Sequence, residues 1–381
     1  MSKDLFPLSV AKGVAFCNRT EEQHALIQNV ENGAHTVLVG PRRYGKTSLS
    51  RQVASNWASD RNKKVAVSTS MLSVSNATDV AQKIVDAVSK AVAKILPPLN
   101  TEELKKLAAS VNSVALDVSF GADGLKFSLS AGRNTADLTV TITSIGKILT
   151  KLDEIAGQRN WKVMLEIDEF QEVSRLKESY AIEAEIREAI QHAGNISCVF
   201  LGSNRQMLEV MFTEKSRPFY KMCHIMKIQR IEAVHYQIHL ENMSKAQWTS
   251  AVPSPVVYMI IELTERHPYY VNKLCYALWQ LDSTPTKEDV LTTWDNIIIE
   301  EEPNIVTVLT GLSNTQKGVI NQLAIEPISA LGGKKFLTLV NLASSTVRTA
   351  IAQLKKDDVV YKHSDGMWHV MDPCLSAYLR K

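Results

Sequence analysis

Gly40-Pro41-Arg42-Arg43-Tyr44-Gly45-Lys46-Thr47 places together the groups needed to hold a polyphosphate. Glycine at both ends lets the backbone wrap closely, so that several N–H groups and the start of a following helix point at negative charge. Lys46 adds a mobile cation for the β- and γ-phosphates, and Thr47 adds a hydroxyl for Mg²⁺. The whole loop, with Ser48 after it, is the expected contact surface for a nucleotide. The bare pattern GxxxxGK[ST] should arise by accident in roughly one chain of this length in a hundred at average composition. Here it stands between an apolar β-branched run, Thr36 to Val39, and a helical pattern carrying Leu49, Val53 and Trp57. That strand-loop-helix context is what the chemistry requires.

A second set of candidates lies further along. Val163 to Ile167 reads as a buried strand that ends in Asp168 and Glu169. Asp168 is placed to reach the Mg²⁺ shell and Glu169 to act on the attacking water. Strand alternation puts Glu166 on the same side as Asp168, where an aliphatic would be the default. It either supports the metal shell or pairs with a nearby arginine, and the pairing is the preferred reading. At the end of the next strand, Ser203 or Asn204 has the chemistry to bond the γ-phosphate or the water, and both residue types also favour a helix N-cap.

Positioning these residues takes an alternation of strands and helices. Lys64 to Ser68, Cys198 to Leu201 and His224 to Ile228 supply further strands with helical stretches between them, which predicts a mostly parallel sheet covered on both faces. One stretch breaks the rhythm: Val114, Leu116, Val118 and Phe120, then Leu125, Phe127 and Leu129, alternate around Ala122-Asp123-Gly124. This predicts a β-hairpin insertion at about 112–132. Amphipathic helical patterns replace strands from about Ile231 to Glu302. The tail then reads as three helices, Gln316 to Ile325, Lys335 to Val340 and Ser344 to Lys356, followed by two short strands around His363-Ser-Asp-Gly366, the order of a winged helix. The expected organisation is an α/β P-loop core over 1–230, a helical lid subdomain over 231–305 and a winged-helix domain over 306–381.

With 381 residues, 45% of them apolar and 22% charged, the chain has the balance of a globular protein of more than one module. Its five cysteines are far apart and form no CxxC pair, which fits a reducing cytoplasm rather than a disulfide framework. No apolar run reaches the roughly 18 to 20 residues of a membrane span. A formal charge of +3 neither demands nor excludes nucleic acid.

Taken in order, Phe16-Cys-Asn-Arg19-Thr-Glu-Glu22, GPRRYGKTSL, EIDEFQEV, FLGSNR, Ser216-Arg217-Pro218-Phe219-Tyr220 and His267-Pro268-Tyr269-Tyr270 resemble the archaeal ATPase family, a STAND-type group near the AAA+ ATPases. The closing Met371-Asp372-Pro373 and Tyr378-Leu379-Arg380 extend the likeness over nearly the whole chain. The resemblance implies ATP and Mg²⁺ as cofactors, five parallel strands in the order 5-1-4-3-2, a helical lid and a winged helix. It also implies that Phe16 and Arg19 lie beside the adenine, that Pro268 touches the nucleotide from the lid, and that Arg217 meets the γ-phosphate. A guanidinium suits that last role because it stabilises transferring phosphoryl charge; the alternative is a solvated turn arginine. The departure is Arg266, where the family usually has glycine before His-Pro.

Two functions compete. One is an ATP-hydrolysing switch of the STAND or AAA+ type, assembling with itself or a partner protein, which the resemblance links to mobile-element or defence biology. The other is a DNA-remodelling ATPase of the replication-origin or transposition-helper type. In the second, Ser344, Ser345, Arg348 and Thr349 on the third tail helix face a groove of duplex DNA, with Lys355, Lys356, Lys362 and His363 on the backbone. A third reading, a static nucleotide ligand, leaves Glu169 without a role.

Overall fold

The computed structural model describes residues 5–96, 116–121, 124–129, 135–363 and 365–381, with the backbone alone for those between 116 and 141. The chain divides into two compact units, Arg19–Gln229 and Met1–Asn18 together with Arg230–Lys381.

In the first unit the elements run α1 (Thr20–Glu31), β1 (Thr36–Val39), α2 (Lys46–Trp57), β2 (Lys64–Ser70), α3 (Ala77–Ile95), β3 (Leu116–Gly121), β4 (Gly124–Leu129), α4 (Thr135–Arg159), β5 (Lys162–Asp168), α5 (Ser179–Gln191), β6 (Ile196–Leu201), α6 (Arg205–Thr213) and β7 (His224–Lys227). Five strands form one parallel sheet in the order β2-β5-β6-β1-β7, the expected 5-1-4-3-2 once the hairpin is set aside. Helices on both faces explain the continuous apolar runs: all residues of β1 and β6 are buried, and so is the middle of β5. Strands β3 and β4 pair antiparallel, as their alternation requires; the turn residues Ala122 and Asp123 and the flanks expected at 112–115 and 130–132 lie outside the described residues.

The second unit begins with a short 3-10 turn, Gly13–Ala15, and continues through α7 (Ala233–Trp248), α8 (Ser254–Leu263), α9 (Pro268–Leu278), α10 (Lys287–Thr310), α11 (Asn314–Ile325), α12 (Lys334–Val340), α13 (Ser344–Lys356), β8 (Val360–Lys362), β9 (Trp368–Val370) and α14 (Pro373–Arg380). Strands β8 and β9 form an antiparallel pair after three helices. Residues 5–18 belong here rather than with the phosphate-loop core expected over 1–230. Phe6 is the reason: it is buried edge-on to Trp279 and His239, and Asn272 Nδ2 donates to the Pro7 carbonyl at 2.9 Å.

The boundary expected at 305 falls inside α10, which starts in a Thr286/Asp289 capping box and continues through Pro303. Proline leaves the carbonyl four residues back unpaired. That residue is Ile299, which is exposed, so the helix tolerates the loss. One apolar cluster runs from Tyr236 and Leu240 through Tyr270 and Trp294 to Leu354 and Val370, joining the two expected modules.

Candidate nucleotide site

The site sits at the carboxyl ends of β1, β5 and β6. Gly40 follows the end of β1, and a side chain there would meet the Ile228 carbonyl at 2.9 Å, so only glycine fits between the loop and the residue after β7. Gly45 turns the chain into α2 with φ 82°, a left-handed conformation that favours glycine. Arg43 also lies in that region, at φ 64°. Pro41 and Tyr44 are buried while Arg42 and Arg43 are exposed, and Ser48 stands in the first turn of α2. Lys46 is buried, and its ammonium donates to the Gly40 and Pro41 carbonyls at 2.7 and 2.8 Å. The loop thus curls around its own cation.

Arg19 ties this loop to the segment after β7. Its guanidinium is 4% exposed and donates to the Tyr44 carbonyl at 2.9 Å and the Gln229 carbonyl at 2.8 Å, and it pairs with Glu22.

Across the sheet, Thr47 Oγ1 donates to Asp168 Oδ2 at 3.1 Å. Residues 121 apart in the chain therefore place two hard oxygen donors side by side, which is the donor chemistry Mg²⁺ takes. Glu169 follows at φ 52°. Its Oε2 accepts from Gln171 Nε2 at 2.5 Å, Ser203 Oγ at 2.8 Å and Ser203 N at 3.3 Å. Burial raises the Glu169 pKa, but those hydrogen bonds and the Lys46 charge outweigh it and hold the carboxyl below its usual range. The group is therefore an anion at neutral pH. Asn204 takes the other role open to this strand end, accepting from Met207 N at 3.0 Å as the N-cap of α6. Glu166 is tied down on both oxygens, to Arg51 Nε at 2.8 Å and Ser50 Oγ at 2.5 Å. Its acid is spent on α2 rather than on the metal shell.

Arg217 pairs with Glu183 of α5, whose side chain is fully buried. The remaining candidates lie in the second unit. Phe16 follows the Gly13–Ala15 turn, and Pro268 is the first residue of α9. Arg266 bonds Glu232 at 2.6 Å and approaches His363 Nε2 at 3.3 Å, so it has protein partners of its own. On α13, Ser345, Arg348, Thr349, Lys355 and Lys356 are exposed and Ser344 is half-buried; Lys362 is exposed on β8.

Sequence reasoning missed Gln171, Gly202 and Glu183. The first two carried a signal in their places beside Asp168-Glu169 and Ser203. Glu183 carried one as an acid among Ile182, Ile186 and Ile190, the buried positions of α5.

No protein-family model matches the chain, and no curated protein matches it significantly. Solved structures do. A Walker-type ATPase of Pyrococcus abyssi superposes with a TM-score of 0.68 at 14% identity, covering 99% of this chain and 100% of that one. The Aeropyrum pernix ORC2 protein, in its ADPNP-ADP complexes, does so with 0.57 at 12% identity over 99% and 95%. At such identity the likeness speaks for the fold alone: this chain has an AAA+-like P-loop fold, a five-stranded parallel core with a helical C-terminal region.

Proposed function

We propose that this protein binds ATP with Mg²⁺ and hydrolyses it, working as a nucleotide-driven switch of the STAND or AAA+ type. The observation that carries the reading is the Thr47–Asp168 hydrogen bond. It brings the phosphate-loop hydroxyl to the strand-end acid, with Glu169 next in the chain and Lys46 in the loop. When bound, Mg²⁺ would supply charge for the phosphate oxygens, held by Thr47 and Asp168. Loop N–H groups and Lys46 orient the triphosphate. Glu169, kept ionised, accepts a proton from water. Ser203 steadies that carboxylate. The domain reading that accompanies this proposal is a P-loop core, a helical lid and a winged-helix tail, with Phe16, Arg19 and Pro268 as nucleotide contacts. The neighbours of known fold support it, since one is described as an ATPase and another was solved with nucleotides.

A Lys46→Ala variant tests the assignment. Removing the loop's ammonium leaves phosphate charge uncompensated, so nucleotide affinity or turnover should collapse. A variant that hydrolyses ATP like the parent would overturn the site.

A second reading, ATP-dependent work on duplex DNA, is favoured by one observation: Ser345, Arg348, Thr349 and Lys355 are all exposed on α13, the third helix before the β8/β9 hairpin.

A further inference from the structure

Gln171 lies in the 3-10 turn after the acid pair and is 1% exposed. Its amide nitrogen donates to Glu169 Oε2 at 2.5 Å and to Glu172 Oε1 at 3.2 Å, so each of its two hydrogens meets a carboxylate. The reverse orientation would set the amide oxygen against two anionic oxygens, which fixes the direction of the side chain. The oxygen, Oε1, is buried and takes no hydrogen bond from the described residues. It points at Gly202 instead. A Cβ on Gly202 would stand 1.8 Å from Gln171 Oε1 and 2.9 Å from its Cδ. Gly202 has no left-handed φ, so its backbone does not call for glycine; the space for Gln171 does.

A glutamine kept only for packing would not leave its buried oxygen orphaned, because that costs stability which an apolar side chain of the same size would not. What the arrangement secures is a grip on Glu169. Three donors meet on Oε2, from Gln171 and Ser203, while Oε1 takes none from the described residues. One oxygen is anchored and the other is left for a solvent molecule.

We propose that Gln171 is the positioning residue for Glu169, and that Gly202 is glycine so that Gln171 reaches it. This rests on the ATPase reading above and adds to it which residue aims the base.

The test is a double-mutant cycle on the full chain. Gln171→Met keeps the volume and removes the amide, and Gly202→Ala pushes the amide out of place. Each should lower kcat by ~10-fold or more, less than the ~10²–10⁴-fold of losing the base outright because the carboxylate is still there, while the Kd for Mg-ATP stays within about twofold of the parent, because neither residue belongs to the phosphate loop. Gln171→Met removes an orphaned oxygen together with two donated hydrogen bonds, so circular dichroism should show that it is folded at the assay temperature. The double variant should be no slower than the worse single variant, whereas independent losses would multiply to ~100-fold. Turnover of Gln171→Met equal to the parent, a loss that appears in Kd rather than kcat, or multiplying losses would each overturn the proposal. Glu169→Gln is run beside them. If it is slow while Gln171→Met is normal, only the positioning role falls. If Glu169→Gln hydrolyses like the parent, the base assignment falls and the proposal with it.

Discussion

Arg217 holds the carboxylate of Glu183, a side chain with no exposure at all, while the arginine itself keeps 19% of its surface in solvent. The pair joins the segment between α6 and β7 to the second turn of α5. Burial pushes the Glu183 carboxyl up to about 7 from its usual 4.5, against the pull of the Arg217 charge and hydrogen bond. The folded chain therefore binds this proton more tightly than the unfolded chain does. The stability it contributes is complete below 4.5 and is lost as pH rises through about 7. Melting temperatures measured at about pH 5 and about pH 8 should fall across that window, on the order of 3 kcal/mol in stability. Glu183→Gln should flatten the fall. A parent protein whose stability rises over the same interval, with Glu183→Gln unchanged, would contradict it.

Glu169→Gln separates binding from turnover. It keeps the shape that Ser203 and Gln171 grip but removes the proton acceptor. Mg-ATP should still bind within a few-fold of the parent, while hydrolysis slows by ~10²–10⁴-fold. Equal turnover would mean that water is activated elsewhere. Single-turnover assays beside equilibrium binding give both numbers.

The parts of this site that were legible in the sequence are those written locally. Gly40 to Thr47 needs only its own residues and the flanking strand and helix, and Asp168-Glu169 needs only the end of an apolar run. The parallel sheet followed from alternating strands and helices, and the order of its strands from the resemblance alone. Contacts between distant segments were not legible. Glu166 was expected with either a metal or an arginine, and nothing in the sequence names Arg51 as the partner. Gln171 and Gly202 meet only because β5 and β6 are neighbours in the sheet. Phe6 looks like any apolar residue near a terminus until Trp279 and His239 pack against it.

The exposed face of α13 separates the two functional readings. If this helix lies in a groove of duplex DNA, Arg348→Ala with Lys355→Ala should weaken binding across sequences and reduce the salt slope by roughly one unit per lost phosphate contact. Titrating a labelled duplex at several salt concentrations reads both effects. No binding by the parent protein at low salt would remove the DNA reading and leave the switch.

The γ-phosphate role that the resemblance implies for Arg217 has to be tested with its structural partner in mind. Arg217→Ala deletes a cation beside the buried Glu183, so loss of activity alone would not distinguish a lost phosphate contact from a weakened fold. An arginine supplied to a neighbouring subunit makes turnover depend on assembly, and one that serves its own nucleotide does not. If Arg217 acts across an interface, the specific activity of the parent should rise with protein concentration. Mixing resolves the rest: Lys46→Ala protomers keep Arg217 but lack a working pocket, and Arg217→Ala protomers keep the pocket. If the arginine acts across an interface, the mixture should regain part of the activity that each variant lacks alone. Circular dichroism of Arg217→Ala should show that it is folded at the assay temperature, and Arg217→Ala combined with Glu183→Gln, which removes the orphaned acid as well, should behave the same way in the mixture. A mixture that stays inactive while both folded variants bind partners would place Arg217 within its own subunit, as the tie to Glu183.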